Sequence, residues 1–244
     1  MERKTSSQRM AEALERARRH WQQHREVPAL TPSPETVPPV AFTIAISREA
    51  GAQGPAVARA VGDLLNWPVY DQELLHLIAA EMGLREKLIS SVDEKYTSWI
   101  QECLQAFSSG PEISSGSFVR HLVHVLLSLA SHGECVIVGR GAPHVLPEAT
   151  TLRVRLMGPK AERIRYIEGH FGISHTEATQ WIDKTDRDRN RFVQEHFHKD
   201  PAQVHHYDLV LNSTRLTVAD CAAMIVDGLH RFQKRATPQL VSVG

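Results

Sequence analysis

Five short apolar segments alternate with longer amphipathic stretches from residue 40 onward, and this alternation limits the fold more than any other feature of the chain. The segments are VAFTIAI (40–46), WPVYD (67–71), GECVIVGRG (133–141), LRVRLMG (152–158) and YDLVLNS (207–213). Short apolar runs rich in β-branched residues are typical of strands buried on both faces of a parallel sheet. Because these runs alternate with helical patterns, the sequence predicts βαβ units, with a parallel sheet covered by helices on both faces.

Helical patterns follow the predicted strands. Pro55 suits the first turn of a helix after the first strand, and residues at i, i+4, i+7 and i+8 predict its apolar face. These residues are Val57, Val61, Leu64 and Leu65. Residues 217–232 predict a closing amphipathic helix with Thr217 as its N-cap and Asp220 at N3. A long, mostly helical insert at about 72–132 separates the second strand from the third.

The first 39 residues differ in composition from the rest of the chain. Residues 1–26 are polar with little apolar periodicity, and residues 27–40 contain five prolines, which is typical of a linker. We therefore expect residues 1–39 to be a flexible extension outside the fold. Residues 40–235 are expected to form the folded domain, and residues 236–244 a short tail.

Charge and cysteine content argue against several classes of protein. Lys and Arg total 28 and Asp and Glu total 28, so no net charge favours a nucleic acid or a membrane surface as partner. The longest apolar run, VHVLLSLA at 123–130, is too short to cross a bilayer. Three widely spaced cysteines and the lack of an apolar leader predict a reducing, cytoplasmic compartment. The histidines have no partners at metal-binding spacing, so no metal site is predicted.

A polar turn containing two glycines follows the first predicted strand and precedes a helix. It consists of Ser47, Arg48, Glu49, Ala50, Gly51, Ala52, Gln53 and Gly54. Backbone N–H groups at a helix N-terminus attract anions, and Gly51 and Gly54 permit a tight turn that approaches a phosphate closely. The turn departs from the phosphate-loop pattern G-x-x-x-x-G-K-[ST], because the lysine is missing. A phosphate site and an ordinary strand-to-helix turn therefore both fit this segment.

Two further arginine-containing segments fall at comparable positions. Arg140 lies between two glycines after the third predicted strand, where a guanidinium suits a bound phosphate as well as a surface ion pair. The segment KTDRDRNRF (184–192) places four charged residues on one helix face, either to bind a polyphosphate or as exposed ion pairs. These residues are Lys184, Arg187, Asp188 and Arg191. Together the three segments predict a phosphoryl-transfer enzyme that works by positioning and charge neutralisation.

From about residue 41 to 232 the chain resembles the cytidylate kinase-like group of P-loop nucleoside monophosphate kinases. The motifs that carry the resemblance are TIAISREAGAQG, WPVYDQELL, VIVGRGAPHVL, LRVRLMGPKAERIRYI, DRDRNRF and YDLVLNSTRLTV. The opening S-R-E-x-G-x-x-G is characteristic of a divergent branch of the group. The resemblance implies a three-layer α/β/α fold of the P-loop kinase type. Its expected parts are a parallel five-stranded sheet, a helical insert that binds the monophosphate, and an arginine-bearing lid.

The resemblance also implies an activity and a set of site residues. The implied reaction transfers the γ-phosphoryl group of ATP to a nucleoside monophosphate such as CMP or dCMP, with Mg²⁺. The residues implied to bind the ATP phosphates are Ser47, Arg48, Gly51, Ala52, Gln53 and Gly54. Those implied to bind the acceptor are Asp71, Arg140, Lys184, Asp188 and Arg191. Those implied to act in catalysis are Arg48, Arg140, Arg187 and Arg191.

Several positions depart from the pattern of the group. Gly54 stands where the loop lysine is expected, and Pro55 where a Ser or Thr helps to hold Mg²⁺. Gly141 stands in place of an Asp that takes part in cytosine recognition, and Lys184 in place of the first lid arginine. The lid charges are therefore largely kept, while the donor loop and the base-reading position are altered.

These departures leave two main hypotheses. In the first, the protein is a nucleotide kinase-like phosphotransferase in which Arg48 replaces the missing lysine. In the second, it is a catalytically weak nucleotide-binding regulatory protein; a structural or interaction role is a third alternative. Glu49 either helps to bind Mg²⁺ or pairs with Arg48. The expected partners are small nucleotides, without nucleic acid polymers or membranes, and the oligomeric state is left open.

Overall fold

The computed structural model describes residues 41–71 and 117–241, together with Arg19. The rest of the predicted N-terminal extension and most of the predicted helical insert lie outside the described residues. The elements in chain order are β1 (Thr43–Arg48), α1 (Gly54–Leu65), β2 (Val69–Tyr70), α2 (Ser117–His132), β3 (Cys135–Val138), α3 (Ala142–Val145), β4 (Thr151–Met157), α4 (Lys160–Phe171), α5 (His175–Phe197), β5 (Leu209–Asn212) and α6 (Val218–Val241). A single 3-10 turn, Val204–His206, lies between α5 and β5.

All five predicted strands form one parallel sheet in the order β2-β3-β1-β4-β5, which confirms the predicted fold class. The central strand β1 pairs with β3 on one side and with β4 on the other. Ile46 lies opposite Val138 in β3, and Arg48 lies opposite Leu156 in β4. Because the strands are parallel, the carboxyl ends of β1, β3 and β4 meet at one edge of the sheet, where ligands bind in open α/β folds.

Helices cover both faces of the sheet and give three layers. On one face, Leu122, Leu126 and Leu129 of α2 pack in the same cluster as Ala45 and Ile137 of the central strands. On the other face, α1 and α6 pack against the sheet through a second cluster. Its helical members are Val57, Ala58, Val61, Cys221, Ala222, Ile225 and Leu229. The central strands β1 and β3 therefore have helix side chains over both faces, whereas Val210 of the edge strand β5 is 39% exposed.

Helix α1 is rotated slightly from the predicted orientation. Val57 and Val61 are fully buried and Leu65 is partly buried, but Leu64 is 62% exposed, so its place on the apolar face was predicted wrongly. The buried face continues instead through the small residue Gly62, where a Cβ would lie 2.6 Å from Val69 Cγ2. The close approach of α1 to β2 thus decides which side of the helix faces the core.

The start of α6 agrees with the predicted capping, and its end lies further along the chain. The Asp220 N–H donates to Thr217 Oγ1 at 3.1 Å, and the Thr217 N–H donates to the Asp220 carboxylate at 3.1 Å. This reciprocal pair satisfies two backbone donors at the helix start. The helix continues to Val241, into the segment that the sequence assigned to a tail. Within the described residues, none of the helices is long and apolar enough to span a membrane.

Candidate functional site

Four arginine side chains line one pocket at the carboxyl edge of the sheet. They are Arg48 of β1, Arg140 after β3, Arg155 of β4 and Arg189 of α5. The other lining residues are Ser47, Gly139, Gly141, Pro143, His144, Asn190, Phe192, Val193 and Pro201. Among the described residues, the pocket lining contains no carboxylate. A pocket with this charge favours an anion over any other small ligand.

Local backbone geometry points Arg140 into the pocket. Arg140 adopts a left-handed conformation at φ 52°, between Gly139 at φ +81° and Gly141 at φ +74°. This sharp turn at the end of β3 places the guanidinium carbon over the Phe192 ring, 5.0 Å from its centroid. Such stacking holds a guanidinium in place while leaving its N–H groups free to bind a ligand.

The other arginines are held by the strand ends and by α5. Arg155 Nη1 donates to Ser47 Oγ at 2.8 Å, and Arg189 Nη1 lies 3.4 Å from the Arg48 carbonyl oxygen. Burial and the neighbouring Arg189 and Arg140 guanidinium groups lower the pKa of Arg48 to about 9, while Asp71 opposes the shift. Burial and Arg189 lower the pKa of Arg140 to about 10. The free protein thus carries a cluster of like charges that a bound anion would stabilise.

Three hydrogen bonds with Asp186 and Ser213 hold the predicted donor loop. The Ala50 N–H donates to Asp186 Oδ1 of α5 at 2.7 Å. The Ala52 carbonyl accepts from Ser213 Oγ at 2.8 Å, and Gln53 Nε2 donates to the Ser213 carbonyl at 3.1 Å. One N–H of the loop therefore already binds an oxyanion, supplied by the chain itself.

Arg163 of α4 fastens this loop to the rest of the domain. Its Nη1 donates to the Ala50 carbonyl at 2.8 Å and to Asp186 Oδ2 at 2.7 Å. Its Nε donates to the Gly158 carbonyl at 2.9 Å and lies 3.2 Å from Glu49 Oε2. A single buried guanidinium thus joins the donor loop, the end of β4 and α5.

The arrangement of carboxylates corrects the expectation for Glu49. Glu49 does not pair with Arg48: it lies near Arg163 and Arg155, with a 3.8 Å distance to Arg155 Nη2, and accepts the Gly158 N–H at 3.1 Å. Mg²⁺ is held in kinases by carboxylate or hydroxyl oxygens that are free to coordinate it. The carboxylates near this loop are instead bonded to guanidinium and backbone groups. Within the described part of the chain, no three His, Cys, Asp or Glu side chains form a metal-binding group.

Helix α5 presents a different face to the pocket from the one that the charge pattern indicated. Lys184, Arg187, Asp188 and Arg191 are exposed. The inward stripe runs through Ala178, Ile182, Asp186, Arg189 and Val193, at the i, i+4, i+8, i+11 and i+15 positions of one helix face. The buried apolar residues of this stripe fix the rotation of the helix. The roles of the four exposed residues in binding or catalysis stay predictions, because the structure does not bring them into the pocket.

Sequence reasoning identified Arg48, Arg140 and Ser47 in the pocket but missed Arg155 and Arg189. Asp71 follows β2 and lies close enough to Arg48 to affect its pKa. A signal for Arg155 was present, since an arginine within a buried parallel strand needs a partner or a ligand. Gly51, Ala52, Gln53 and Gly54 lie in the turn before α1, as predicted.

A parallel five-stranded α/β sheet with this turn after its first strand and arginines at its carboxyl edge defines a protein of the kinase-like class. Residues 43–215 match the cytidylate kinase-like family, and the chain belongs to that family. The resemblance of the motifs is therefore confirmed over most of the described domain.

Solved structures and a curated relative add to the comparison. An uncharacterized protein from Eubacterium ventriosum has a TM-score of 0.60 and 19% identity, over 78% of this chain and 98% of that one, which shows a shared fold. A gluconokinase from Sinorhizobium meliloti has a TM-score of 0.46 and 12% identity, over 82% and 98% of the two chains. A uronate isomerase from Corynebacterium glutamicum is 21% identical over 164 residues, or 64% of this chain. The match covers only 31% of that isomerase, and it assigns no activity to this chain.

Substitution of Gly51 tests the packing of the donor loop. Gly51 has φ +78°, and a Cβ there would lie 2.8 Å from the Arg163 carbonyl oxygen; Gly172 has φ +67° with open space around it among the described atoms. Gly172→Ala should lower the free energy of unfolding by about 1–2 kcal/mol through backbone strain alone. Gly51→Ala should cost about 1–3 kcal/mol more, because the contacted atom belongs to the backbone. Urea denaturation measures both, and equal losses would contradict this packing.

The pocket histidine His144 should make stability depend on pH. Burial and nearby cationic groups lower its pKa from 6.5 to about 4. These groups are His206, Lys199, Arg155 and Arg153. Between pH 6.5 and 4 the unfolded chain binds more protons at this residue, so its contribution to stability is lost as the pH falls through that window.

The expected result is a urea midpoint that falls between pH 6.5 and 4 by less in His144→Gln than in the wild type. His230, which is exposed on α6, provides a matched control, and His230→Gln should keep the wild-type slope. A slope that is the same in all three proteins would show that His144 is not the responsible group.

Proposed function

We propose that the protein is a nucleotide kinase-like phosphotransferase that moves the γ-phosphoryl group of ATP to a nucleoside monophosphate, with CMP or dCMP as the first candidates, or to a similar small acceptor. The observation that carries the proposal is the pocket of four arginines at the carboxyl ends of β1, β3 and β4. Family membership and the position of the pocket beside the β1–α1 turn support it. The cytoplasmic location is proposed with it; the thiols of Cys135 and Cys221 are free.

The proposed reaction needs little covalent chemistry from the protein. An oxygen of the acceptor phosphate attacks the γ-phosphorus of ATP, the bond from that phosphorus to the β–γ bridging oxygen breaks, and ADP leaves with the electron pair. Arg140 and its neighbours would hold the acceptor phosphate and offset the charge that repels the two phosphates. Mg²⁺ would enter the site bound to the ATP phosphates and would offset part of their charge, and no step is assigned to a metal ion held by the protein.

The pocket residues indicate a phosphate on the acceptor more clearly than they indicate its base. A Cβ at Gly141 would lie 2.1 Å from Phe197 Cε2, so the pocket has no room for the Asp that the family pattern places there. Gly141 itself has no side chain that could contact a base. For this reason the proposal extends to nucleoside monophosphates other than CMP and to other small phosphate acceptors.

A second candidate function is nucleotide binding without turnover, in a regulatory protein. The contact that favours it is the hydrogen bond from the Ala50 N–H to Asp186, because a carboxylate occupies a loop donor that a donor phosphate would use. The missing loop lysine also supports binding without turnover, because the loss of one such electrostatic contact lowers the rate of catalysis by roughly 10²–10³-fold.

The test is ADP formation from ATP with a panel of nucleoside monophosphates and other small phosphate acceptors, with and without Mg²⁺ in solution. The phosphotransferase proposal expects ADP release that depends on the acceptor. Binding of ATP or CMP by calorimetry, without acceptor-dependent ADP release, would favour the regulatory function instead. If no nucleotide binds or raises the melting temperature, both candidates fail.

A further inference from the structure

The Arg48 side chain runs through a channel that two glycines keep open. A Cβ at Gly54 would lie 2.6 Å from Arg48 Cγ, and a Cβ at Gly139 would lie 2.1 Å from Arg48 Nη1. Any other residue at these two positions would displace the side chain. Gly54 also occupies the position at which the loop lysine is expected. Its lack of a side chain leaves the space that the Arg48 side chain fills.

The channel leads the Arg48 guanidinium toward the end of β3. Its Nη1 reaches Gly139, next to Arg140 at the end of β3, and it lines the same pocket as Arg140 and Arg189. Asp186, which accepts the Ala50 N–H of the donor loop, is also close enough to oppose the lowering of the Arg48 pKa. The guanidinium therefore lies beside Arg140, the residue that the proposed function assigns to the acceptor phosphate.

The guanidinium groups of this pocket have unused hydrogen-bonding capacity. Arg48 Nε and Arg140 Nε are buried, and neither has a hydrogen-bond partner in the part of the chain that the structure describes. Burying several guanidinium groups side by side costs free energy unless an anion compensates them. Asp71 and Asp186 lie close enough to attract Arg48, but neither lines the pocket.

We propose that Arg48 binds the phosphate group of the acceptor, a phosphate monoester, together with Arg140 and Arg189, and does not replace the lysine on the donor. The inference rests on the proposed function of the same pocket. It reassigns Arg48 from the donor phosphates, where the sequence places it, to the acceptor. Fork-shaped guanidinium groups from three directions match the three terminal oxygens of a monoester.

The experiment measures binding of ATP and of monophosphates separately by titration calorimetry, so no turnover is needed. The probes are ATP, CMP, UMP, AMP and GMP, each without a second nucleotide. Arg48→Met should weaken the binding of the tightest-binding monophosphate by about 10–100-fold, which is the usual effect of losing a charged hydrogen bond. ATP affinity should stay within about threefold, and Arg48→Lys should keep more monophosphate affinity than Arg48→Met. The control is Arg59→Met, which removes an exposed arginine of α1.

A second variant keeps the inference testable where Arg48→Met does not fold. Gly139→Ala leaves Arg48 in the chain but fills the space of its guanidinium, and should give the same selective loss of monophosphate affinity. Loss of ATP affinity with monophosphate affinity kept would show that Arg48 does replace the lysine, and would overturn the inference. Unchanged affinity for both ligands, or a wild type that binds ATP but none of the monophosphates, would overturn it too. Monophosphate binding that depends on Arg48, without phosphoryl transfer, would uphold the inference and refute the phosphotransferase function.

Discussion

Replacement of Arg163 by leucine is expected to lower the free energy of unfolding by about 3–5 kcal/mol. The substitution removes the ion pair with Asp186, the contact with Glu49 and the donors to the Ala50 and Gly158 carbonyl groups. The Arg163 side chain is only 8% exposed, so water replaces few of these contacts. The loss of unfolding free energy measured by urea denaturation should therefore be as large as for a buried hydrogen-bonded network, and larger than for a surface ion pair.

Arg165 provides the matched control on the same helix. Its side chain is 67% exposed and, among the described residues, forms an ion pair with Glu162, one turn away. Arg165→Leu should change the free energy of unfolding by less than about 1 kcal/mol, as exposed ion pairs do. Similar losses for the two variants would mean that Arg163 does not hold the donor loop to α4 and α5.

Replacement of Arg140 by methionine is expected to lower kcat/KM for the best acceptor by roughly 10²–10³-fold. Arg140 lines the pocket and stacks on Phe192, and the proposed function assigns it to the acceptor phosphate. Methionine keeps much of the packing against the ring while it removes the charge. The loss should consequently appear in steady-state kinetics with little change in the melting temperature.

Substitutions of Arg189 and Arg191 show whether the pocket-lining arginine or the arginine predicted from the charge pattern contributes to the reaction. The resemblance predicts that Arg191 is a lid arginine, but Arg191 is exposed on α5, whereas Arg189 lines the pocket. If the described arrangement is the reacting one, Arg189→Met should lower kcat/KM by far more than Arg191→Met. The opposite order would mean that α5 turns or moves during the reaction. Arg59→Met, far along α1 from the turn, should behave as the wild type.

The fold was predictable because the strands are short, apolar and rich in β-branched residues, and the central strands β1, β3 and β4 are largely buried. All five apolar runs became strands, and the Thr217–Asp220 cap marked the start of α6. The one misplaced core residue, Leu64, shows the limit of periodicity. A 12-residue helix offers two overlapping apolar faces, and the contact of Gly62 with Val69 decides between them.

The site was predictable only in part. Turns rich in glycine and arginine marked Arg48 and Arg140, because few other segments have that composition. The charge pattern of α5 identified the most polar face of the helix, and this face is exposed to solvent. Burial of Ile182 and Val193 instead orients the face with Asp186 and Arg189 toward the domain interior. Partners that are distant along the chain, such as Asp186 and the Ala50 N–H, leave no local signal in the sequence.

Transfer of the γ-phosphoryl group of ATP to an acceptor in this pocket can be followed with a radioactive label. The wild-type protein is incubated with γ-³²P-ATP, Mg²⁺ and each monophosphate, and the products are separated by anion-exchange chromatography. We expect labelled nucleoside diphosphate from at least one acceptor, and strongly reduced labelling in Arg140→Met. If ATP and the monophosphate both bind, but the label stays in ATP or appears only as inorganic phosphate, the protein is not the proposed phosphotransferase.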